Sequence, residues 1–180
     1  MPQITADDVV DFWRAAGPSC WFASSDAFDA RCRERFLDVH LGASMRRCDD
    51  WMDSAQGTLG LLLVLDQMPR NIYRGSAHAY ATDPLARHVA SQALARGDDK
   101  AIDADLRPFM YLPFMHSEDI GDQRRSLELH AALGDNQDKW ARHHHGIIQR
   151  FGRFPHRNAV LGRTSTPEEE FFLGAGGFGA

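Results

Sequence analysis

Apolar residues recur along this chain at intervals of three and four, and almost nowhere in strict alternation. That is the pattern of helices that each bury one face. Val9, Phe12, Trp13 and Ala16 form the first stripe, opened by Thr5 and Asp8 as a capping box and closed by Gly17-Pro18. Ser24 or Ser25 opens a second helix, in which Phe28, Cys32, Phe36 and Val39 recur until near Gly42, and a short helix is expected over residues 45–52. Residues 58–68 are apolar almost all round, which predicts a central buried helix; leucine outnumbers the β-branched residues, which favours helix over strand. Pro69 is expected to end it, leaving residues 70–75 as a loop. Asp83-Pro84 supplies a cap and a first-turn proline for a helix carrying Leu85, Val89 and Ala93, which Gly97 terminates.

Residues 106–114 are apolar and broken by Pro108 and Pro113. A helix over residues 116–133 is expected to turn Ile120, Leu127 and Ala131 inward. Residues 139–151 give the clearest amphipathic pattern, with Trp140, His144, Ile147, Ile148 and Phe151 on one face and Gly152 as a left-handed cap. Thr166-Pro167-Glu168-Glu169 reads as a helix start, and residues 174–180 as a Gly-rich tail. No repeat of 20 to 50 residues and no long linker appears. The pattern predicts a single all-α domain over residues 1–173, built from about seven or eight helices.

Composition changes this picture little. The 180 residues suit one domain, 43% of them are hydrophobic and 25% charged, and the net charge is −5. The longest apolar run, residues 59–65, is far short of the roughly 20 residues a membrane span needs. The first residues lack a basic stretch followed by an apolar one, so no secretory signal is expected. Cys20, Cys32 and Cys48 show no CxxC spacing, which fits a reducing cytoplasm better than a disulfide framework. The acidic balance argues against nucleic acid as a partner.

The distribution of charge changes the picture more. Residues 139–167 contain no Asp or Glu but carry Lys139, Arg142, Arg150, Arg153, Arg157 and Arg163, while residues 98–138 hold ten carboxylates against four Lys or Arg. The basic span must meet the acidic one or an external anion, because a buried unpaired arginine costs several kcal/mol.

Three polar clusters interrupt the apolar pattern. DQMPRN places Asp66 and Gln67 at the end of the most buried helix, where a carboxylate opposes the helix dipole and calls for a cation such as Arg70. It reads either as a structural clamp or as part of a site. HSEDIGDQ, if helical, puts His116, Asp119 and Gln123 on one face and Glu118 and Asp122 on another. A histidine beside carboxylates suits proton transfer near neutral pH, and the same spacing could set ligands around a divalent metal. The plainer alternative is a solvated first turn capped by Ser117. RFGRFPHRN (residues 150–158) follows a helix with Arg153, His156, Arg157 and Asn158 on a stretch pinned by Pro155. Arginine forks there could bind carboxylate or phosphate, or could lock the loop over an acidic helix. His143, His144 and His145 diverge around a helix and cannot converge on one ion. No phosphate loop and no nucleophile elbow is present.

The stretches LLLVLDQMPRNIYRGSAHAYATDPLA, FMYLPFMHSEDIGDQRRS and HHHGIIQRFGRFPHRNAVLGRTSTPEEEFF resemble the bacterial domain-of-unknown-function family 924, as do VVDFW and RCRERF. The likeness runs from about residue 9 to residue 173 and implies a tetratricopeptide-like, right-handed helical array. The family pattern matches at Asp66, Gln67, Pro69, Arg70 and Asn71; at His116, Ser117, Glu118, Asp119, Asp122 and Gln123; and at His144, Arg150, Arg153, His156, Arg157 and Asn158. It departs at Gly146, where relatives commonly carry an acid.

The leading expectation is therefore a pocket for a small anionic or polar ligand. Its catalytic candidates are His116, Glu118, Asp119 and His156. Its ligand-binding candidates are Asp66, Gln67, Arg70, Asn71, Arg150, Arg153, Arg157 and Asn158. Phe114, Phe151 and Phe154 would form its walls, and no cofactor is required. A second expectation is a peptide groove that clamps a terminal carboxylate. A third is that residues 150–158 only staple the acidic helix.

Overall fold

The computed structural model describes residues 4–134 and 136–177. Among these residues the protein is all-α, without a strand, and no helix is long and apolar enough to cross a membrane. The last three residues of the expected Gly-rich tail lie outside the described residues. The described residues fall into two compact units, drawn from Met1–Arg74 with His78–Pro113 and from Gly75–Ala77 with Phe114–Ala180.

The first unit contains helices α1 (Ala6–Ala16), α2 (Asp26–Ser44), α3 (Ala55–Leu62), α4 (Met68–Ile72) and α5 (Asp83–Arg96). The capping box of α1 is present, and Gly17 ends the helix at φ 73°. Helix α1 packs on α3, α2 on α4, and α3 on α5. Val9, Phe12, Trp13, Phe28, Cys32 and Phe36 are buried as the spacing predicts, and the Phe12 ring meets Phe36 edge-on at 4.8 Å. Burial pushes the Cys32 thiol up to about 12. The short helix expected over residues 45–52 is a tighter 3-10 segment, Asp49–Asp53.

Two glycines let backbones touch in this unit. A Cβ on Gly60 would lie 2.9 Å from the Ala6 Cβ, and one on Gly57 would overlap the Trp51 carbonyl oxygen. The Gly57→Ala variant is expected to lose about 1–3 kcal/mol of stability by overpacking, measured as a lower urea midpoint. Backbone cannot yield there as a flexible side chain would.

Pro69 does not end the buried helix. Helix α3 runs into a π-helical segment, Leu63–Gln67, which continues into α4 and ends only at Ile72. Proline removes an N–H and its ring pushes against the carbonyl of the preceding turn. The wider turn absorbs that conflict, because the Met68 N–H donates to Leu63 O, five residues back. Side chains then serve the displaced carbonyls. The Thr82 hydroxyl donates to Leu65 O (2.6 Å), the acceptor that Pro69 cannot reach. His40 Nδ1 meets Val64 O (3.0 Å), Arg70 donates to Asp66 O, and Asn71 Nδ2 donates to Gln67 O (3.2 Å). Helix α5 begins one residue earlier than expected, with Thr82 at its N-cap position.

The second unit contains α6 (Ile120–Ala131), α7 (Lys139–Phe151) and α8 (Pro167–Gly174), with α6 packed on α7. Its apolar centre is Ile147, Ile148 and Phe154, flanked by Ile120, Phe151 and Phe172. Gly152 is the left-handed cap at φ 68°, and Thr166 with Glu169 completes a capping box on α8. Helix α6 departs from expectation twice. It starts at Ile120, capped by Asp119 rather than Ser117, so His116 precedes the helix and shares no helical face with Gln123. Its fully buried residues are Gln123, Ser126 and His130, whereas Ile120 is only partly buried, against the apolar centre, and Ala131 is exposed. These polar groups turn inward because acceptors await them. Gln123 Nε2 donates to Met115 O (2.7 Å) and Ser117 O (2.6 Å), and His130 Nδ1 meets Ser126 O (2.9 Å). Trp140, expected on the buried face of α7, is 57% exposed.

Candidate functional site

Four of the twelve expected site residues, Asp66, Gln67, Arg70 and Asn71, belong to the first unit; the other eight belong to the second. In the first unit the π turn brings three of the four together with a residue the sequence reading passed over. Arg70 donates through Nη1 and Nη2 to both oxygens of Asp83 (3.1 Å each) and lies 3.4 Å from the Asp66 carboxylate. Gln67 Nε2 donates to Asp66 Oδ2 (2.5 Å). Asp66, Asp83, Gln67 and Asn71 are all buried. Burial opposes the charge on Arg70, but the two carboxylates outweigh it and hold its pKa above the ordinary arginine value. The guanidinium also lies 5.8 Å from the Tyr80 ring. The expected Asp–Arg clamp is therefore a two-carboxylate clamp, with Asp83 as its bidentate member.

In the second unit the basic segment folds between acids from both sides. Glu118, from the acidic span, accepts from the Phe154 N–H (2.8 Å) and from Arg163 Nη1 and Nη2 (2.7 and 3.0 Å). Glu169, from α8, accepts from Arg153 Nε and Nη2 (2.7 and 2.8 Å), from the Thr166 N–H and from Asn158 Nδ2. Arg153 Nη2 also donates to Thr164 O, and Arg163 Nε donates to Asn158 Oδ1. Arg150 pairs with Glu168 at 2.8 Å. Burial pushes the Glu118 carboxyl up, but the hydrogen bonds from Arg163 and Phe154 outweigh it and hold the pKa below the usual range. Arg153 is the main cause holding Glu169 at about 2. Asp119 is exposed and accepts from Gly121 N and Asp122 N as the α6 cap.

Two of the remaining candidates, His156 and Arg157, pack with His144 against one buried ring, that of Phe154. The Arg157 guanidinium lies 4.5 Å from the Phe154 centroid, His144 meets that ring edge-on at 5.5 Å, and His156 lies 5.5 Å away. His116 lies 6.4 Å from His144. The α7 backbone orients His144, whose Nδ1 bonds Trp140 O at 2.8 Å. Burial pushes His144 down to about 3, with His116 adding to the effect. Burial, then Arg157, pushes His156 down to about 3, against an opposing pull from Glu118. Both imidazoles are therefore neutral near pH 7, beside a fixed positive charge. Among the described residues no group of three His, Cys, Asp or Glu side chains is set to hold a metal ion.

Sequence reasoning missed Asp83, Arg163 and Glu169 as members of these clusters. Arg163 stands in the carboxylate-free span and so carries a signal, whereas Glu169 signals only a helix start.

The family model described as "Bacterial protein of unknown function (DUF924)" matches residues 9–177. A solved structure, that of the protein of unknown function ATU0120 from Agrobacterium tumefaciens, is 51% identical, with 93% of this chain and 96% of that chain covered and a TM-score of 0.91. No curated protein matches the chain.

Proposed function

The chain belongs to the bacterial DUF924 family, and we propose that its second unit binds a small anionic molecule at the imidazole–arginine cluster on Phe154. The packing of His144, His156 and Arg157 against that one ring, with His116 beside His144, carries this reading. A guanidinium recognises carboxylate or phosphate, and a neutral imidazole can donate or accept a hydrogen bond, although His144 Nδ1 is already bonded to Trp140 O. Glu118 and Glu169 are engaged by Arg163 and Arg153, which orders the loop that carries His156 and Arg157. An anion seated beside His156 would favour its protonated form, so binding draws a proton to the imidazole. His156 is then the proton acceptor in any chemistry done there. This role falls to His156 rather than to Asp119, whose carboxylate caps α6.

Imidazole resonances of the labelled protein, followed while inorganic phosphate or succinate is added, test the reading. The His116 and His156 signals are expected to shift with saturation. Arg157→Ala and His156→Ala are expected to abolish the effect while the remaining amide spectrum stays folded. No shift with either anion, or variants that simply unfold, would mean that the cluster is a structural lock.

A further inference from the structure

We propose, independently of that reading, that the solvent face of α7 docks an acidic amphipathic helix from a partner protein. Helices α7 and α8 form an open depression of about 330 Å³. Ile147, Phe151 and Phe172 floor it, Arg142, His143 and Arg150 rim it, and Gly146 lies on the same face. Glycine inside a helix costs about 0.5–1 kcal/mol relative to alanine. Gly146 has no positive φ to require it, and a Cβ there would meet nothing within 4 Å. Neither conformation nor internal packing explains the residue. Close approach from outside does, since a small residue at a crossing lets two helices reach the short end of the usual 8–10 Å separation.

Charge selects the occupant. Helix α7 carries no carboxylate. Arg142 and Arg150 are eight residues apart, about 12 Å along the axis, the distance spanned by about two turns of a partner helix. Each is held by a neighbour, Asp138 and Glu168, but the two guanidinium-bearing side chains are 72% and 48% exposed. Exposed pairs hold their partners weakly. The floor is apolar, and Phe171, next to Phe172 in sequence, is 75% exposed. The matching ligand carries carboxylates at i and i+7 and a leucine or phenylalanine between them, seated over Gly146.

The test is fluorescence anisotropy of the full chain with 15-residue helical peptides. These carry Glu, Gln or Lys at i and i+7, and Leu, Phe or Ala at i+3 and i+4. Peptides with two Glu and a Leu or Phe are expected to bind, and added salt to weaken them. Gly146→Leu is expected to weaken binding about tenfold or more by filling the depression, with no fall in thermal midpoint. The double variant Arg142→Glu, Arg150→Glu is expected to switch preference to the Lys peptides. Three results would overturn the proposal: no binding up to about 1 mM, indifference to Gly146→Leu, or tighter binding of a 20-nucleotide single strand to the same face.

Discussion

Acidification from pH 7 to pH 5 is expected to destabilise the protein strongly, before its glutamate pairs are affected. His144 and His156 are held neutral down to about 3, each chiefly by burial. In the unfolded chain an imidazole takes its proton near pH 6.5. Below that value the unfolded state binds more protons, so stability that is fully present above pH 6.5 is lost as the pH falls towards 3. The limiting slope is about 1.4 kcal/mol per pH unit for each histidine, so by pH 5 each has withdrawn about 2 kcal/mol. His40 and His130, also lowered by burial, act in the same direction. The Glu169 contribution is lost later, between its ordinary 4.5 and about 2. Urea midpoints at pH 7, 6 and 5 measure the effect. His144→Asn with His156→Asn is expected to flatten the dependence across this range. Equal midpoints at pH 7 and pH 5 in the unsubstituted protein would show that these rings are not held neutral.

The helices, most of their caps and the apolar centre of each unit were legible in the sequence because capping and three-four periodicity are local. The failures share a cause, since a polar group's partner is not written beside it. Pro69 reads as a terminator until the π turn and the Thr82 hydroxyl, 17 residues from the carbonyl it serves, are known. Periodicity counts only apolar residues and so does not turn Gln123, Ser126 and His130 inward, whereas carbonyl acceptors at Met115 and Ser117 draw Gln123 in. The charge asymmetry offered the basic span two partners, the acidic span or an external anion, and the Arg163–Glu118 pair is of the first kind. It could not reveal that Glu118 pairs with Arg163, 45 residues away, while Arg153 turns to Glu169 on α8. Arg150 and Arg153, two of the candidates for anion binding, are paired with Glu168 and Glu169 on α8.

The largest single-residue effect on stability is expected at Arg70. Asp66 and Asp83 are 1% and 4% exposed and converge on one guanidinium, itself 20% exposed at its side chain. Replacing Arg70 by methionine keeps much of the volume but leaves two buried carboxylates facing each other, and it removes the donor from the Asp66 carbonyl. Breaking a buried pair by deleting one partner costs about 3–5 kcal/mol, and like charges at this separation add to the cost. Arg70→Met is therefore expected to lower the urea midpoint more than Gly57→Ala does. Adding Asp83→Asn to Arg70→Met tests the cause, because it removes the repulsion without restoring a single ion pair. If electrostatics dominates, the double variant is more stable than Arg70→Met alone, although it carries one more substitution. If the two are equally unstable, the lost contacts of the arginine stem and of the π-turn carbonyl hold this region together, and the carboxylates are bystanders to a packing defect.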